Sequence, residues 1–441
     1  MISSESPRDA ADGIRFRRLK RDLPLRLPLD RLVPLDHPVR HVEALVASLD
    51  FTDLFDRIRA REGQPGRPPF DPRMLFALWL YACIEGVGSA RELAKLCRRD
   101  LPFLWLSGQT KPNYHTLSDF YSDNEAFLQT AFTDHIEALL EHRLVTLKEV
   151  TLDGRKIAAN ASKESFHRAP TLNRHRQEAE EHLAKLAEQR ASAKEQTRRR
   201  EVAQQRAARE RQERLAQAVA TVQKRHQERA ARGSRKDEAP PDQTRASETD
   251  PDARKMKMSH GGYTPAYNTQ TVTDTENGLI VTIRVTDDGS DSGLLRPMLE
   301  QVADETGRLP ERGLVDGGYV NQEDIEWAET AGITMYMPPK NEKADLKKGK
   351  DPYAPKRWDP AKVAAWRQRM GTDEAKTIYR RRAPVAEGVH AQQANHGWRR
   401  HRLRGLVKAQ VEAYWQALAY NIRVLIARNH IPRLVLRAAG A

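Results

Sequence analysis

The sequence predicts an all-α N-terminal region followed by an α/β sheet of mixed direction, with a charged helical insertion separating the first strand from the rest. Three observations carry this. Apolar residues recur at helical spacing over 39–144. An alternating, strand-like run follows at 147–153, and strand signals resume only near residue 266, beyond a long charged stretch. Counting the first strand, the order is then strand, hairpin, helix, strand, helix, strand, which requires crossover connections and a mixed sheet.

The chain has 441 residues, more than one hydrophobic core usually organises, so two or three domains are expected. Its formal net charge of +13 makes the surface attractive to polyanions, and nucleic acid becomes the default partner. No apolar run approaches the length of a membrane-spanning helix. Cys83 and Cys97 fall in helical stretches outside any Cys/His cluster with zinc spacing and read as buried, reduced thiols. Arg15, Arg17, Arg18, Lys20 and Arg21 make a basic N-terminal arm that runs into Pro24, Pro28 and Pro34 rather than an apolar signal segment, so cytoplasmic residence is expected.

Within the helical region, breaks fall at 63–69, 86–88 and 107–112. After Asp71-Pro72, the stripe of Met74, Leu75, Leu78, Trp79 and Tyr81 predicts one helix, and Ser89 with Glu92 forms a capping box for the next. A tight glycine turn joins them, an arrangement that suits both a helix-turn-helix DNA reader and a plain helical hairpin. The run from Leu147 to Asp153 ends, by this reading, in a carboxylate followed by Gly154. From 166 to 236 the composition turns to Arg, Glu, Gln and Ala; residues 171–236 hold eighteen Lys or Arg against nine Glu. Sparse apolar positions such as Leu183, Leu215, Val219 and Val222 predict a helix or helical hairpin that lies along DNA, forms a coiled coil, or is simply solvated.

Past the linker at 239–251, strands are predicted at 266–273 and 279–285, joined by the turn chemistry of Asp274 to Gly278. Asp291-Ser292-Gly293 is expected to cap a helix reaching about residue 306, Leu314-Val315 to form a short strand ending at Asp316, and Asn321 to cap a helix with Asp324 at the box position. A further strand is read at 333–337, a basic loop at 340–357, and helix throughout 379–430, with one long amphipathic helix through the apolar stripe of 403–426. The expected domains are a basic arm (1–38), a helical DNA-binding domain (39–145), a catalytic domain (146–163 and 260–430) split by the insertion and linker (164–259), and a tail (431–441).

Chemistry on a phosphodiester with two divalent metals needs carboxylates from separate elements, because hard cations take oxygen ligands and the two ions sit about 3.5–4 Å apart. Asp153 and Asp316 each close a predicted strand, so if those strands are neighbours both carboxylates emerge at one edge. An isolated Asp-Gly is more often a turn, and the surrounding residues decide otherwise. Thr151 to Ser162 (TLDGRKIAANAS) resembles the first-aspartate block of DDE transposases from bacterial insertion sequences, and Gly313 to Tyr319 (GLVDGGY) resembles their second. The stretches Tyr263 to Gln270 and Thr286 to Gly293 are similar to the hairpin and helix start between those blocks, and Gly66 to Pro72 to the helical domain before them.

The resemblance implies a ribonuclease H-like catalytic domain, two Mg²⁺ or Mn²⁺ ions, double-stranded DNA as substrate, and a homodimer or larger assembly that holds two element ends. It implies a third acid in a block of Tyr, two residues, Arg, three residues, Glu, six residues, then Lys or Arg. Tyr379 and Arg382 fit; Glu387 follows one residue late, and the basic position falls on Ala394. Glu387 is assigned as the third acid, with Glu374 and Glu412 as competitors and Arg399 or Arg400 replacing the missing cation. Tyr379, Arg382, Arg399, Arg400, Lys340, Lys347 and Lys348 are assigned to DNA, together with Trp398, which either stacks on a base or anchors the core. Isolated His167 and His260 receive no ligand role. A catalytically inactive DNA-binding derivative and a plain metal-dependent nuclease are the alternative functions.

Overall fold

The computed structural model describes residues 28–58, 68–191, 198–231, 244–259 and 261–430. The basic arm before residue 28, His260 and the tail from 431 lie outside them.

Among the described residues a 3-10 turn (Leu29–Leu32) is followed by seven α-helices: α1 (Pro38–Ser48), α2 (Thr52–Asp56), α3 (Pro72–Ile84), α4 (Ala90–Arg99), α5 (Leu101–Leu106), α6 (Tyr114–Ser122) and α7 (Glu125–Glu141). Their starts are set chemically. Asp71 accepts from the Arg73 amide with Pro72 in the first turn, Ser89 accepts from Glu92, and Asn113 from Thr116, each supplying an acceptor to an otherwise unpaired helix N–H. Cys83 and Cys97 are buried free thiols, as expected.

The remaining elements run β1 (Val150–Ala158), β2 (Phe166–Arg168), α8 (Ala169–Ala191), α9 (Arg198–Ala231), β3 (Arg245–Ser247), β4 (Arg254–Lys257), β5 (Tyr263–Asp274), β6 (Ile280–Thr286), α10 (Leu295–Thr306), β7 (Arg312–Val315), α11 (Gln322–Thr330), β8 (Thr334–Tyr336), α12 (Glu342–Lys347), α13 (Ala361–Met370), α14 (Asp373–Tyr379), α15 (Arg382–Asn395) and α16 (Leu406–Ala427). β1 is central. It pairs antiparallel with β5 from Val150↔Asp274 to Ala158↔Ala266, and parallel with β7, which in turn pairs parallel with β8. The far edge of β5 carries β4 and β6 end to end. The sheet thus has the mixed, ribonuclease H-like order that the sequence predicts.

Several local expectations change. β1 does not stop at Asp153 but continues to Ala158, because the residues beyond Gly154 keep a full ladder with β5. β4, just past the predicted linker and ahead of the first predicted strand of the hairpin, belongs to the main sheet. The 340–357 segment contains a short helix, α12. Asp291 does not cap α10, whose N-cap is Leu294 with no side-chain bond.

The C-terminal helix differs most. Its apolar stripe predicts one face packed on the sheet, yet α16 is buried on nearly all sides, with Trp415, Ala417, Ala419, Ile422 and Leu425 fully enclosed. It lies between β6 and the N-terminal helices, so helical region and sheet share one continuous core. Polar residues make this possible. Asn421 accepts from the Ile280 amide at 2.8 Å and donates to its carbonyl at 2.9 Å, while Gln410 accepts from Val285 and donates to Ile283. These side chains replace the strand that edge β6 lacks. On the other side Trp415 donates to the Tyr121 carbonyl at 3.2 Å and stacks on the Tyr121 ring.

α8 and α9 form the inserted hairpin, sealed by Leu172, Ala179, Leu215, Ala218, Val219 and Val222. Its root is fixed: buried Arg225 donates to the carbonyls of Asp252 and Ala253 and pairs with Asp287 at 3.5 Å.

Candidate active site

Parallel pairing sets Leu152 of β1 opposite Val315 of β7. The next residues in each strand direction are Asp153 and Asp316, so the sheet register alone puts the two aspartates side by side. α15 closes over them and packs against β1. Its first residue, Arg382, donates to Asp153 Oδ1 at 2.7 Å and approaches Asp316 Oδ2 at 3.6 Å. Asp316 Oδ1 also accepts from the Gly318 amide at 2.7 Å, which fixes the turn after β7.

His390, eight residues beyond Arg382 on α15, donates from Nε2 to Asp153 Oδ2 at 3.1 Å. Burial raises the cost of charge on Asp153, but the His390 hydrogen bond and the Arg382 and His390 charges outweigh it and hold the carboxyl below its ordinary range. Arg382 Nε and His390 Nδ1 are buried with no hydrogen-bond partner among the described residues, so both retain donor or acceptor capacity toward a ligand.

A third carboxylate stands over Gly154. Asp291 Oδ1 accepts from Asn268 at 2.7 Å and Gln270 at 2.8 Å, and Tyr319 donates to Gln270 Oε1. A Cβ at Gly154 would meet Asp291 Oδ1 at 2.5 Å, and one at Gly318 would lie 3.9 Å from Asp291 Oδ2 and 3.3 Å from Asp316 Oδ1. Asp291 therefore stands on the aspartate pair's side of the turn, although its oxygens, like those of Glu387, do not come within ligand spacing of both aspartates among the described residues. The buried Tyr319 hydroxyl is pushed far above its ordinary pKa, first by burial and then by Asp291, Asp153 and Asp316, so it stays protonated as a donor.

Glu387 is on α15 but is not brought to the pair. Its side chain is exposed and unpaired among the described residues, and Asp153, Asp316 and Glu387 do not reach ligand spacing there. At ~100° per residue, Glu387 sits roughly 60° beyond His390 on the side away from Arg382. Of its competitors, Glu374 is exposed on α14, and Glu412 is buried with its carboxylate accepting from His401 Nδ1 and the amides of Arg402 and Leu403. Glu412 holds structure.

Among the residues assigned to DNA, Arg382 is in the site and Tyr379 is half-buried beside it. Arg399 is exposed and, with Arg155, Lys156, Lys257, Asp291 and His390, lines an open cleft of about 890 Å³ that begins at Gly154, next to Asp153. Arg400 is exposed, and its backbone bridges to Ala158. Lys340, Lys347 and Lys348 are exposed on and around α12. For Trp398 the DNA assignment is corrected: it is only 4% exposed and packs edge-on against His401, so it anchors the core and presents no face to a base. An exposed aromatic does exist ahead of α13, Trp358, 78% accessible with the Arg357 guanidinium 4.7 Å from its ring centre.

Sequence reasoning missed His390, Asp291, Arg155 and Trp358. For His390 a signal existed: Arg382, Ala386 and His390 follow at intervals of four, which lines one helix face. Asp291 was masked by its helix-capping neighbourhood.

Carboxylate oxygens are the donors Mg²⁺ and Mn²⁺ prefer, and the guanidinium held between Asp153 and Asp316 shows that the pair accommodates positive charge. The donor set fits divalent metal. Residues 239–422 match the profile of the transposase DDE domain, and residues 27–123 that of a second transposase domain, DUF772. The chain belongs to the DDE transposases of insertion sequences. β1 and Asp153 lie between the two matched segments, separated from the second by the hairpin. No curated protein and no solved structure is significantly similar to the chain. No described helix is long and apolar enough to cross a membrane.

Proposed function

We propose that the protein cuts double-stranded DNA at the ends of an insertion sequence and joins the freed ends to a target. Water cleaves one phosphodiester; the liberated 3′-hydroxyl then attacks a target phosphodiester, forming one bond as another breaks. The observation that carries this reading is the register pair Asp153 and Asp316, bridged by Arg382. Paired Mg²⁺ or Mn²⁺, held by Asp153 and Asp316 with a third acid, would supply activation of the attacking oxygen and charge stabilisation on the leaving one.

The chain's own residues prepare the phosphate. His390 orients Asp153 and preserves its charge. Arg382 neutralises the two carboxylates and has an unused Nε–H; its planar donors suit a non-bridging phosphate oxygen once DNA enters. Arg155, Lys156, Lys257 and Arg399 give the adjoining cleft the charge to guide the backbone, with Lys340, Lys347 and Lys348 extending the surface. Glu387 is assigned as the third acid as the glutamate that follows Arg382, one residue later than the family's block places its acid, and it reaches the pair only if α15 turns when Arg382 is drawn to phosphate. Asp291 is the rival third acid, favoured by its position over Gly154. Two ends held together imply a dimer or larger assembly on DNA.

Asp153→Asn and Asp316→Asn are expected to keep binding to element-end DNA and to lose cleavage with Mg²⁺ or Mn²⁺. Unchanged cutting in either variant would remove the triad. A supercoiled-target joining assay separates a transposase from a nuclease that hydrolyses without joining.

A further inference from the structure

At the root of the inserted hairpin, three side chains from three elements converge. His167 lies on β2, His175 on the first turns of α8, and Glu248 immediately follows β3. His175 Nδ1 is 3.0 Å from Glu248 Oε2, His167 Nε2 is 3.9 Å from Oε1, and the two imidazoles meet edge to face. One donor atom from each residue falls within 4.8 Å of the others, the only such group among the described residues.

We propose that these residues form a transition-metal site, best suited to Zn²⁺, that clips the two ends of the insertion together. Tetrahedral zinc with bonds of ~2.0–2.1 Å holds its donors about 3.3 Å apart; the contacts to Glu248 are 3.0 and 3.9 Å and the three donors lie within 4.8 Å, so binding draws them in by side-chain rotation alone. Two imidazoles with one carboxylate select a borderline ion; Mg²⁺, which prefers oxygen ligands, is disfavoured. The chemistry therefore differs from the all-carboxylate active site. All three side chains are partly accessible, between 20% and 31%, so an ion can enter and keep a water-filled fourth position.

The location gives the site a purpose. The chain leaves the catalytic body through β2 and returns through β3, which pair over only three residues, with His167 opposite Ala246. So short a ribbon is marginal by itself. Closing the long segment between His167 and Glu248 with a metal removes entropy from the unfolded chain and fixes the direction in which α8 departs. A simple His–Glu–His hydrogen-bonded cluster is the competing account.

The test uses the full-length protein, stripped with chelator and dialysed, with Co²⁺ as a visible-absorbing probe and Zn²⁺ as competitor, in excess Mg²⁺. One equivalent of Co²⁺ should give an absorption band that Zn²⁺ abolishes and Mg²⁺ does not, and that persists in Asp153→Asn. The band should disappear in His175→Ala and in Glu248→Gln, the latter keeping a hydrogen-bonding side chain so that folding, checked by circular dichroism, is preserved. With Zn²⁺ bound, limited proteolysis at the hairpin should slow in wild type and not in Glu248→Gln. Absence of the band in wild type, or its survival in folded Glu248→Gln, would overturn the proposal and leave the hydrogen-bonded cluster.

Discussion

Gly154→Ala probes the site without removing any functional group. Gly154 has no left-handed backbone, so β1 accepts alanine conformationally. Space is the obstacle: the new Cβ would stand 2.4 Å from Gln270 Nε2, 2.5 Å from Asp291 Oδ1 and 3.0 Å from the Tyr319 hydroxyl. Carbon packs at about 3.5 Å or more, so the carboxylate and amide must each retreat by about 1 Å. They are not free ends, since Asn268, Gln270 and Tyr319 hold them in a hydrogen-bonded chain. Overpacking of this kind costs about 1–3 kcal/mol, and a ~1 Å displacement of a positioning group can cost on the order of 10²-fold in rate. Single-turnover cleavage of a plasmid carrying the element ends should therefore fall far more than stability measured by denaturant unfolding would explain. The double variant Gly154→Ala with Asp291→Ala removes the carboxylate clash and releases Gln270 Nε2 from its acceptor, leaving only the contacts with Gln270 and Tyr319; stability should partly return while cleavage stays low. If Gly154→Ala cuts at the wild-type rate, the idea that Asp291 serves this site is refuted.

Other outcomes follow from the same geometry. Asp153 has a lowered pKa, so its contribution to stability is complete above the unfolded carboxyl's range and is lost as pH falls through the folded value; His390→Gln should shrink that contribution, and its stability deficit, read by urea unfolding, should vanish in acid. Glu412→Ala leaves His401 and two backbone amides without their acceptor and should destabilise by several times the ~1–3 kcal/mol of one unsatisfied buried group, whereas Glu387→Gln should be stable and lose only cleavage. Trp398→Ala should lower stability and leave DNA affinity per folded molecule unchanged, while Trp358→Ala should do the reverse in fluorescence binding to single-stranded DNA. Removing one phosphate-pairing charge through Lys347→Ala or Lys348→Ala should flatten the slope of log K against log salt by about 0.9 for duplex DNA.

Much of this was legible in the sequence because it rests on local chemistry. Ser89 and Asn321 cap the helices that follow them, and the turn at 274–278 joins the strands on either side of it. The neighbouring placement of Asp153 and Asp316 was foreseeable as a condition, needing only that their strands pair. What escaped depends on partners distant in sequence. The burial of α16 on all sides follows from helices at the other end of the chain: Arg423 donates to the Cys83 carbonyl on α3, 340 residues earlier. The role of Asp291 required Asn268 and Gln270 to point from the adjacent strand, and the grouping of His167 with His175 and Glu248 required the hairpin to close.

The same geometry explains why so large an insertion leaves the active site intact. It interrupts the connection between β1 and β5, antiparallel neighbours paired over nine residues, so the chain must turn back there whatever its length. Loop-closure entropy rises only slowly with added residues. The strand's exit is independently tied to the C-terminal block: Asn160 donates to the Arg402 carbonyl at 2.5 Å, Arg404 donates to the Asn160 carbonyl, and the His401 amide donates to Ala158 at 2.7 Å. These bonds hold β1 against the segment that follows α15, so Asp153 and Arg382 stay in register while the hairpin is anchored outside them by Arg225. The asparagine of the Asn160-Ala161-Ser162 motif thus has a positioning role. Asn160→Ala should lower cleavage through a loosened α15, seen as faster amide exchange over 382–404, and leave exchange in α8 and α9 unchanged.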